Sequence, residues 1–179
     1  MVVFRSIGTW HPLCSTISSD EGRSFSTPTF LPAPPTTALV PLPPSPFPLI
    51  SGAVWGVEPK LLKLENGLIV LSTGRGGIML WATTDPPTQW VPFNLALHHN
   101  QNLGKTSSYY YNSPYPYVNR GKGQTTSYTG MTAVGRDGVL ISYDYFNGSV
   151  GHHQAIFTVQ VNVTKLVAAA GVTTTESED

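Results

Sequence analysis

Short runs of apolar, β-branched and aromatic residues, each closed by Gly, Pro, Asn, Asp or Ser, recur along this chain. Their length and their turn-residue boundaries predict strands rather than helices. The runs fall into three groups. The first comprises 2–6, 14–19 and a short piece around Phe25; the second comprises 59–64, 68–73, 78–83 and 90–95; the third comprises 128–134, 139–145 and 155–163. Two turns stand out within them. Glu65-Asn66-Gly67 joins KLLKL to LIVLS, and Arg136-Asp137-Gly138 joins MTAVG to VLISY. Asn-Gly and Asp-Gly supply the positive φ angles that tight hairpins need. The second and third groups therefore open with the same unit of strand, tight turn and strand, a weak internal repeat.

Two breaks separate the groups. Residues 28–48 include LPAPPTTALVPLPPSPFP, a composition that disfavours a strand ladder and predicts an inserted loop in polyproline II form. Residues 98–126 are rich in Asn, Gly, Ser and Tyr and predict a long polar loop. The tail from Ala168 ends in TTTESED and is expected to be disordered.

Composition narrows the partners. Charged residues make up 11 % of the 179 and balance to zero, which argues against a nucleic-acid surface or an anionic membrane patch. No apolar run approaches the roughly 20 residues that a spanning helix requires. The N-terminal MVVFRSIGTWHP lacks the sustained apolar core of a signal peptide. Cys14 is the single cysteine, so no internal disulfide forms and the compartment stays open. His98-His99 and His152-His153 are unsupported by a Cys or carboxylate cluster, so neither a metal nor another cofactor is expected.

One motif is complete. Ser18-Ser19-Asp20-Glu21-Gly22-Arg23-Ser24-Phe25 fits Ser-x-Asp-x-Gly-x-x-aromatic, the Asp-box. Its fixed positions have structural roles: Asp20 ties the backbone of a tight hairpin, Gly22 takes a left-handed conformation and Phe25 packs under the turn. The stretch from Thr83 to Trp90 is a worn copy that keeps Asp85 and Trp90 but has Pro87 in place of the Gly. These residues build hairpins rather than perform chemistry.

Three segments then occur in a telling order: RSIGTWHPLCSTISSDEGRSF, VEPKLLKLENGLIVLSTGRGGIMLWATTD and SYTGMTAVGRDGVLISYDY. Together they resemble the later blades of the sialidase superfamily, the Asp-box repeat glycoside hydrolases. The resemblance implies an all-β fold: an incomplete six-bladed β-propeller of about two and a half four-stranded antiparallel blades over residues 1–167. It also implies that the remaining blades are partners, and that the substrate is a sialylated or other acidic glycan. Sialidases use a Tyr nucleophile relieved of its proton by a Glu, because a carboxylate nucleophile would be repelled by the substrate carboxylate. Arginines clamp that carboxylate through forked hydrogen bonds.

By motif, Glu58, nine residues before Gly67, resembles the base, and Tyr128 in SYTGM resembles the nucleophile. Arg75 in STGRGG resembles a clamp arginine, with Arg5 and Arg120 as further candidates. Each has a plainer role open to it: Glu58 as a solvated strand-start residue, Arg75 as a partner for a loop carbonyl, Tyr128 as an amphipathic core residue. Asp20 and Asp85 belong to Asp-boxes and are poor stand-ins for the family's general acid. Two other functions compete with hydrolysis, namely a non-catalytic Asp-box propeller that binds glycan or protein, and a strand-rich protein that recruits a partner through its Pro-rich segment.

Overall fold

The computed structural model describes residues 1–5, 12–33, 52–74, 77–84, 89–112, 123–126, 128–146 and 154–169. The chain is mostly β. Strands β1 (Val2–Arg5), β2 (Leu13–Thr16) and β3 (Thr29–Phe30) form one sheet, and β4 (Val57–Lys63), β5 (Ile69–Gly74), β6 (Met79–Thr83) and β7 (Val91–Asn94) form a second. Strands β8 (Thr129–Val134), β9 (Gly138–Tyr145) and β10 (Ala155–Asn162) form the third. All three sheets are antiparallel, consecutive strands are neighbours, and none closes on itself. The three sequence groups thus become three sheets. Two helices interrupt the β pattern, α1 (Leu95–Leu103) and α2 (Val163–Ala169). No helix among the described residues is long and apolar enough to cross a membrane.

The middle sheet carries the core on both faces. Every residue of β5 and β6 is buried. Because side chains alternate across a strand, Val70, Leu80 and Ala82 enter one cluster with Val139, Ile141, Tyr143, Tyr145 and Val161 of the third sheet. Ile69, Leu71, Met79 and Trp81 enter the other, with Leu13, Leu31, Val54 and Trp55. Removing a side chain of this size from water stabilises the fold by about 1.5–3 kcal/mol. The polar indole edge of Trp81 is satisfied within the dry layer, where Nε1 donates to Thr73 Oγ1 at 3.1 Å. Trp55 stands edge-on to the same ring, with centroids 4.9 Å apart.

The two hairpin turns of the repeat touch. Gly67 (φ 83°) allows its N–H to reach Leu64 O at 3.0 Å, and Asn66 Oδ1 accepts from Leu68 N at 3.1 Å. Asn66 N then donates to Arg136 O (3.3 Å) in the second turn, and Asn66 Nδ2 donates to Thr164 Oγ1 (3.1 Å) on α2. Val163 N donates to Asp137 O at 2.9 Å, so the first turn of α2 is tied into the same junction. The left-handed residue of the second turn is Gly135 (φ 63°), not Gly138. Gly138 already belongs to β9, where an added Cβ would lie 2.6 Å from Val134 O.

Several expected boundaries move. The strand expected at 90–95 ends at Asn94, whose side chain accepts from Leu97 N at 2.9 Å and caps α1. The first residues of the expected loop 98–126 are therefore helical. From α1, Asn100 clamps the following segment: Nδ2 donates to Tyr111 O and Oδ1 accepts from Tyr111 N, both at 2.8 Å. The Pro-rich break also begins later than expected. Thr29–Phe30 pairs with β2, Pro32 bridges Ala53, and Leu31 and Ala33 are buried in the core. Pro32 is accommodated at an isolated bridge, where no continuous ladder calls on its missing N–H. No strand forms around Phe25, and residues 168 and 169 are the end of α2 rather than tail.

Buried His99 fastens α1 to the third sheet. Its Nε2 donates to Tyr109 O at 2.9 Å, which leaves Nδ1 to accept from the Tyr143 hydroxyl at 3.2 Å. The ring meets Phe157 edge-on at 4.6 Å. Burial lowers the His99 pKa and pushes the Tyr143 phenol up to about 12.

Two measurements check this packing. Gly56 (φ 133°) passes so close to β5 that a Cβ would lie 2.5 Å from Thr73 Cβ and 2.8 Å from Gly74 O. Gly56→Ala is expected to lower stability by about 2–4 kcal/mol in urea unfolding, from backbone strain plus overpacking. Because folding depresses the pKa of His99, unfolded chains bind its proton more readily. Stability is expected to fall as pH drops below 6.5, the ordinary value, toward the folded pKa. Thermal melts of His99→Phe should lose that part of the acid dependence.

Candidate functional site

The start of β4 is irregular. Val57 pairs with Gly74 and Lys60 pairs with Ser72, so Glu58 and Pro59 together face only Thr73. This is a β-bulge, which bends the strand and re-aims its side chains. Gly56, on its close approach to Thr73, leads the chain into it. Pro59 fits because this is an edge strand and a bulged position needs no ladder N–H. Within the bulge Glu58 adopts φ 53°, one of two non-glycine residues with positive φ among those described. Such a conformation costs about 1–3 kcal/mol and persists where the surroundings dictate it. The Glu58 carboxylate is half-exposed and lies 3.7 Å from Lys60 Nζ. An exposed pair of this kind adds less than about 1 kcal/mol.

Tyr128 immediately precedes β8, and 54 % of it is exposed, so it is not a core tyrosine. Its neighbour Thr129 is buried and shares a 2.9 Å hydrogen bond with Ser72 Oγ. Ser72 is the residue opposite Lys60. The head of β8 is therefore fastened beside the bulged head of β4. No hydrogen bond joins Tyr128 to Glu58 among the described residues.

Of the three arginine candidates, Arg5 is the one whose backbone lies among the described residues. Arg5 ends β1 opposite Leu13, and Leu13 N donates to Val54 O at 2.8 Å, four residues before Glu58. Gly74, opposite Val57, is the last residue before Arg75 in sequence. The side chain of Arg5, and the whole of Arg75 and Arg120, lie outside the described residues. Sequence reading missed the parts that shape this end: Gly56, Lys60 and the Ser72–Thr129 link. A Gly before Val-Glu-Pro and a Pro inside a strand pattern are the signals that could have suggested the bulge.

The Asp-box turn stands at the other end of β2. Asp20 Oδ1 accepts from Ser24 N and from Ser18 Oγ, both at 2.8 Å, and Oδ2 accepts from Ser24 Oγ at 2.6 Å. Ser18 Oγ accepts from Gly22 N at 2.7 Å, and Gly22 has φ 87°. Below, Ser26 N closes the hairpin onto Ile17 O at 2.9 Å. Phe25 departs from the expected packing. Its ring lies 3.9 Å from where a Gly22 Cβ would be, yet half of it is in solvent. Trp90 is wholly buried in the second core cluster, its backbone N–H donating to Pro32 O at 3.1 Å, while Asp85 lies outside the described residues. No group of three His, Cys, Asp or Glu residues able to hold a metal occurs among the described residues.

The hydrogen bonds from Ser24 and Ser18 hold the Asp20 pKa down, from 3.8 to about 2. The unfolded chain then binds the proton first as pH falls, so the turn's contribution is complete above about pH 4 and is lost toward pH 2. Carboxyl NMR titration should place the Asp20 midpoint near 2, and Asp20→Asn should remove that share of acid sensitivity. No family model matches this chain, and comparison with curated proteins and with solved structures finds no match either.

Proposed function

We propose that this chain is part of a sialidase-like glycoside hydrolase that cleaves a terminal sialic acid or a related acidic sugar. The observation that carries the reading is the convergence of Arg5, Glu58, Gly74 and Tyr128 on one end of β4, fixed by strand register and by the Ser72–Thr129 hydrogen bond. The order of the sheets supports it. Each is an up-and-down antiparallel sheet, and β4 lies beside both β1 and β8, as the inner strands of successive propeller blades would. In this reading the chain contributes blades to an incomplete six-bladed ring, and the missing blades pack on its outer sheets.

In the proposed reaction Glu58 takes the phenol proton of Tyr128 as the Tyr128 oxygen attacks the anomeric carbon. The glycosidic bond breaks, and the leaving oxygen takes a proton from an acid that no residue of this chain is assigned to supply. Water then displaces the Tyr128 oxygen from the anomeric carbon, passing one proton to the conjugate base of that unassigned acid while Glu58 returns its proton to the departing Tyr128 oxygen. Arg75, Arg5 and Arg120 are the candidates to hold the substrate carboxylate. Asp20 is excluded as the acid by its place, since its carboxylate fastens a turn at the far end of β2. The left-handed backbone at Glu58 fits a functional position, because strain of this kind is concentrated at such sites. A second reading, a non-catalytic propeller that binds glycan or protein, is favoured by the pairing of Glu58 with Lys60.

A 2,3-difluorosialic acid probe separates the two. Fluoride leaves without a proton donor, so trapping does not depend on the unassigned acid. Mass spectrometry is expected to find the sugar on Tyr128, with Tyr128→Phe unlabelled and Glu58→Gln labelled about 100-fold more slowly. A ring completed by its missing blades that folds and yet remains unmodified at Tyr128 would leave the binding reading standing and the hydrolase reading refuted.

A further inference from the structure

Among the described strands, β10 has an edge unlike any other. It pairs with β9 at all eight positions, from Ala155 opposite Tyr145 to Asn162 opposite Gly138, without a bulge. Its other edge meets no strand among the described residues, because the sheet order is β10-β9-β8. Edges of this length are normally blunted by charge, proline or a bulge, since a row of free N–H and C=O groups invites pairing. The sequence AIFTVQVN contains none of these safeguards. The other edges contain them or are hidden. Strand β4 has its bulge, Pro59, Glu58, Lys60 and Lys63, and β7 is four residues long, contains Pro92 and turns into α1. Strand β3 has two residues, and β1 and β8 lie beside β4.

We propose that β10 is a homodimerisation edge, pairing antiparallel with β10 of a second copy of this chain. A twofold axis normal to the sheet through Thr158 sets residues of the same face opposite one another. Phe157 of one copy then faces Val159 of the other, on the side turned to the core, and Ile156 faces Gln160 on the outer side. Ile156 is 79 % exposed in the single chain, so pairing shelters apolar surface that now meets water. The strand is self-complementary in side-chain character and has no charge to repel its copy. Each third sheet gains the fourth strand that the middle sheet already has, and six strands run continuously through the dimer. This pairing is independent of whether the chain hydrolyses sugars.

Sedimentation of the full chain over roughly 1–100 µM is the test, reading whether the mass moves from 19.3 kDa to twice that value. Dimer is expected. Thr158→Lys sets two ammonium groups opposite each other at the axis, and it should weaken association at least about tenfold. Ile156→Lys should act in the same direction, and both side chains are exposed, so circular dichroism should show the fold unchanged. A wild-type chain that stays monomeric overturns the proposal, as does a dimer indifferent to both substitutions. A monomer whose β10 amides gain exchange protection only with a foreign extended peptide also overturns it, and assigns the edge to another partner.

Discussion

Strands β5 and β6 have no side that can face water. Their eleven ladder residues, six in β5 and five in β6, are all buried, with alternate side chains pointing in opposite directions. An antiparallel sheet usually keeps one wet face; this one demands cover on both. That requirement explains why the first and third sheets sit where they do, and why the chain must return on either side of a central layer. It also explains how polar atoms are handled in the interior. Trp81 surrenders its indole N–H to Thr73, and Ser72 shares its hydroxyl with Thr129, so these polar atoms in the dry layer bind one another within and across sheets. Thr83 Oγ1 at the end of β6 and the Trp90 indole N–H are the exceptions, buried without a hydrogen-bond partner among the described residues at a cost of about 1–3 kcal/mol each.

Much of this was legible in the residues. The apolar runs LIVLS and IMLWATT announce strands, and Asn66-Gly67 announces the turn that joins the first of them to β4; their burial on both faces was not read from the sequence. In the Asp-box the tie made by Asp20 and the left-handed Gly22 were legible, because they act within one short loop, while the hydroxyl bonds of Ser18 and Ser24 and the exposure of Phe25 were not. What escaped depends on contacts that spacing does not encode. LALHHNQNL becomes a helix because Asn94 caps it and His99 and Asn100 find partners in Tyr109, Tyr111 and Tyr143. Leu31 and Ala33 are drawn out of a Pro-rich stretch by burial against Val54 and Leu13. Gly135 rather than Gly138 takes the left-handed angle, since the Asp-Gly pair lies one step too late for the register of β8 and β9.

At the candidate site, sequence supplied the residue types, and the fold sets the strands that carry Glu58 and Tyr128 beside one another. Glu58 and Tyr128 are seventy positions apart, and the packing of β8 beside β4, the Ser72–Thr129 link and the β4–β5 register set their strand heads side by side. Gly56 and Pro59 hint at an irregular strand start, but nothing in the sequence marks Glu58 itself as the residue at φ 53°. The chain enters the bulge through Gly56, which passes too close to Thr73 of β5 to admit a Cβ, a constraint between residues distant in sequence. Chemistry here would therefore depend on an apolar layer beneath it, through Thr73, Trp81 and Trp55.

The junction of the two hairpin turns with α2 divides the molecule into a fixed end and a free end. At the fixed end Asn66, Arg136, Asp137, Val163 and Thr164 are sewn together by backbone and side-chain hydrogen bonds. The strand heads that carry Glu58 and Tyr128 lie at the other end of the same hairpins. Loop length changes at little thermodynamic cost, since each doubling adds only about 0.6 kcal/mol. Mutation can therefore vary the free end, residue by residue or by insertion, while the knot at the fixed end preserves the alignment of the sheets. Evolvability and stability are assigned to opposite poles of one repeat.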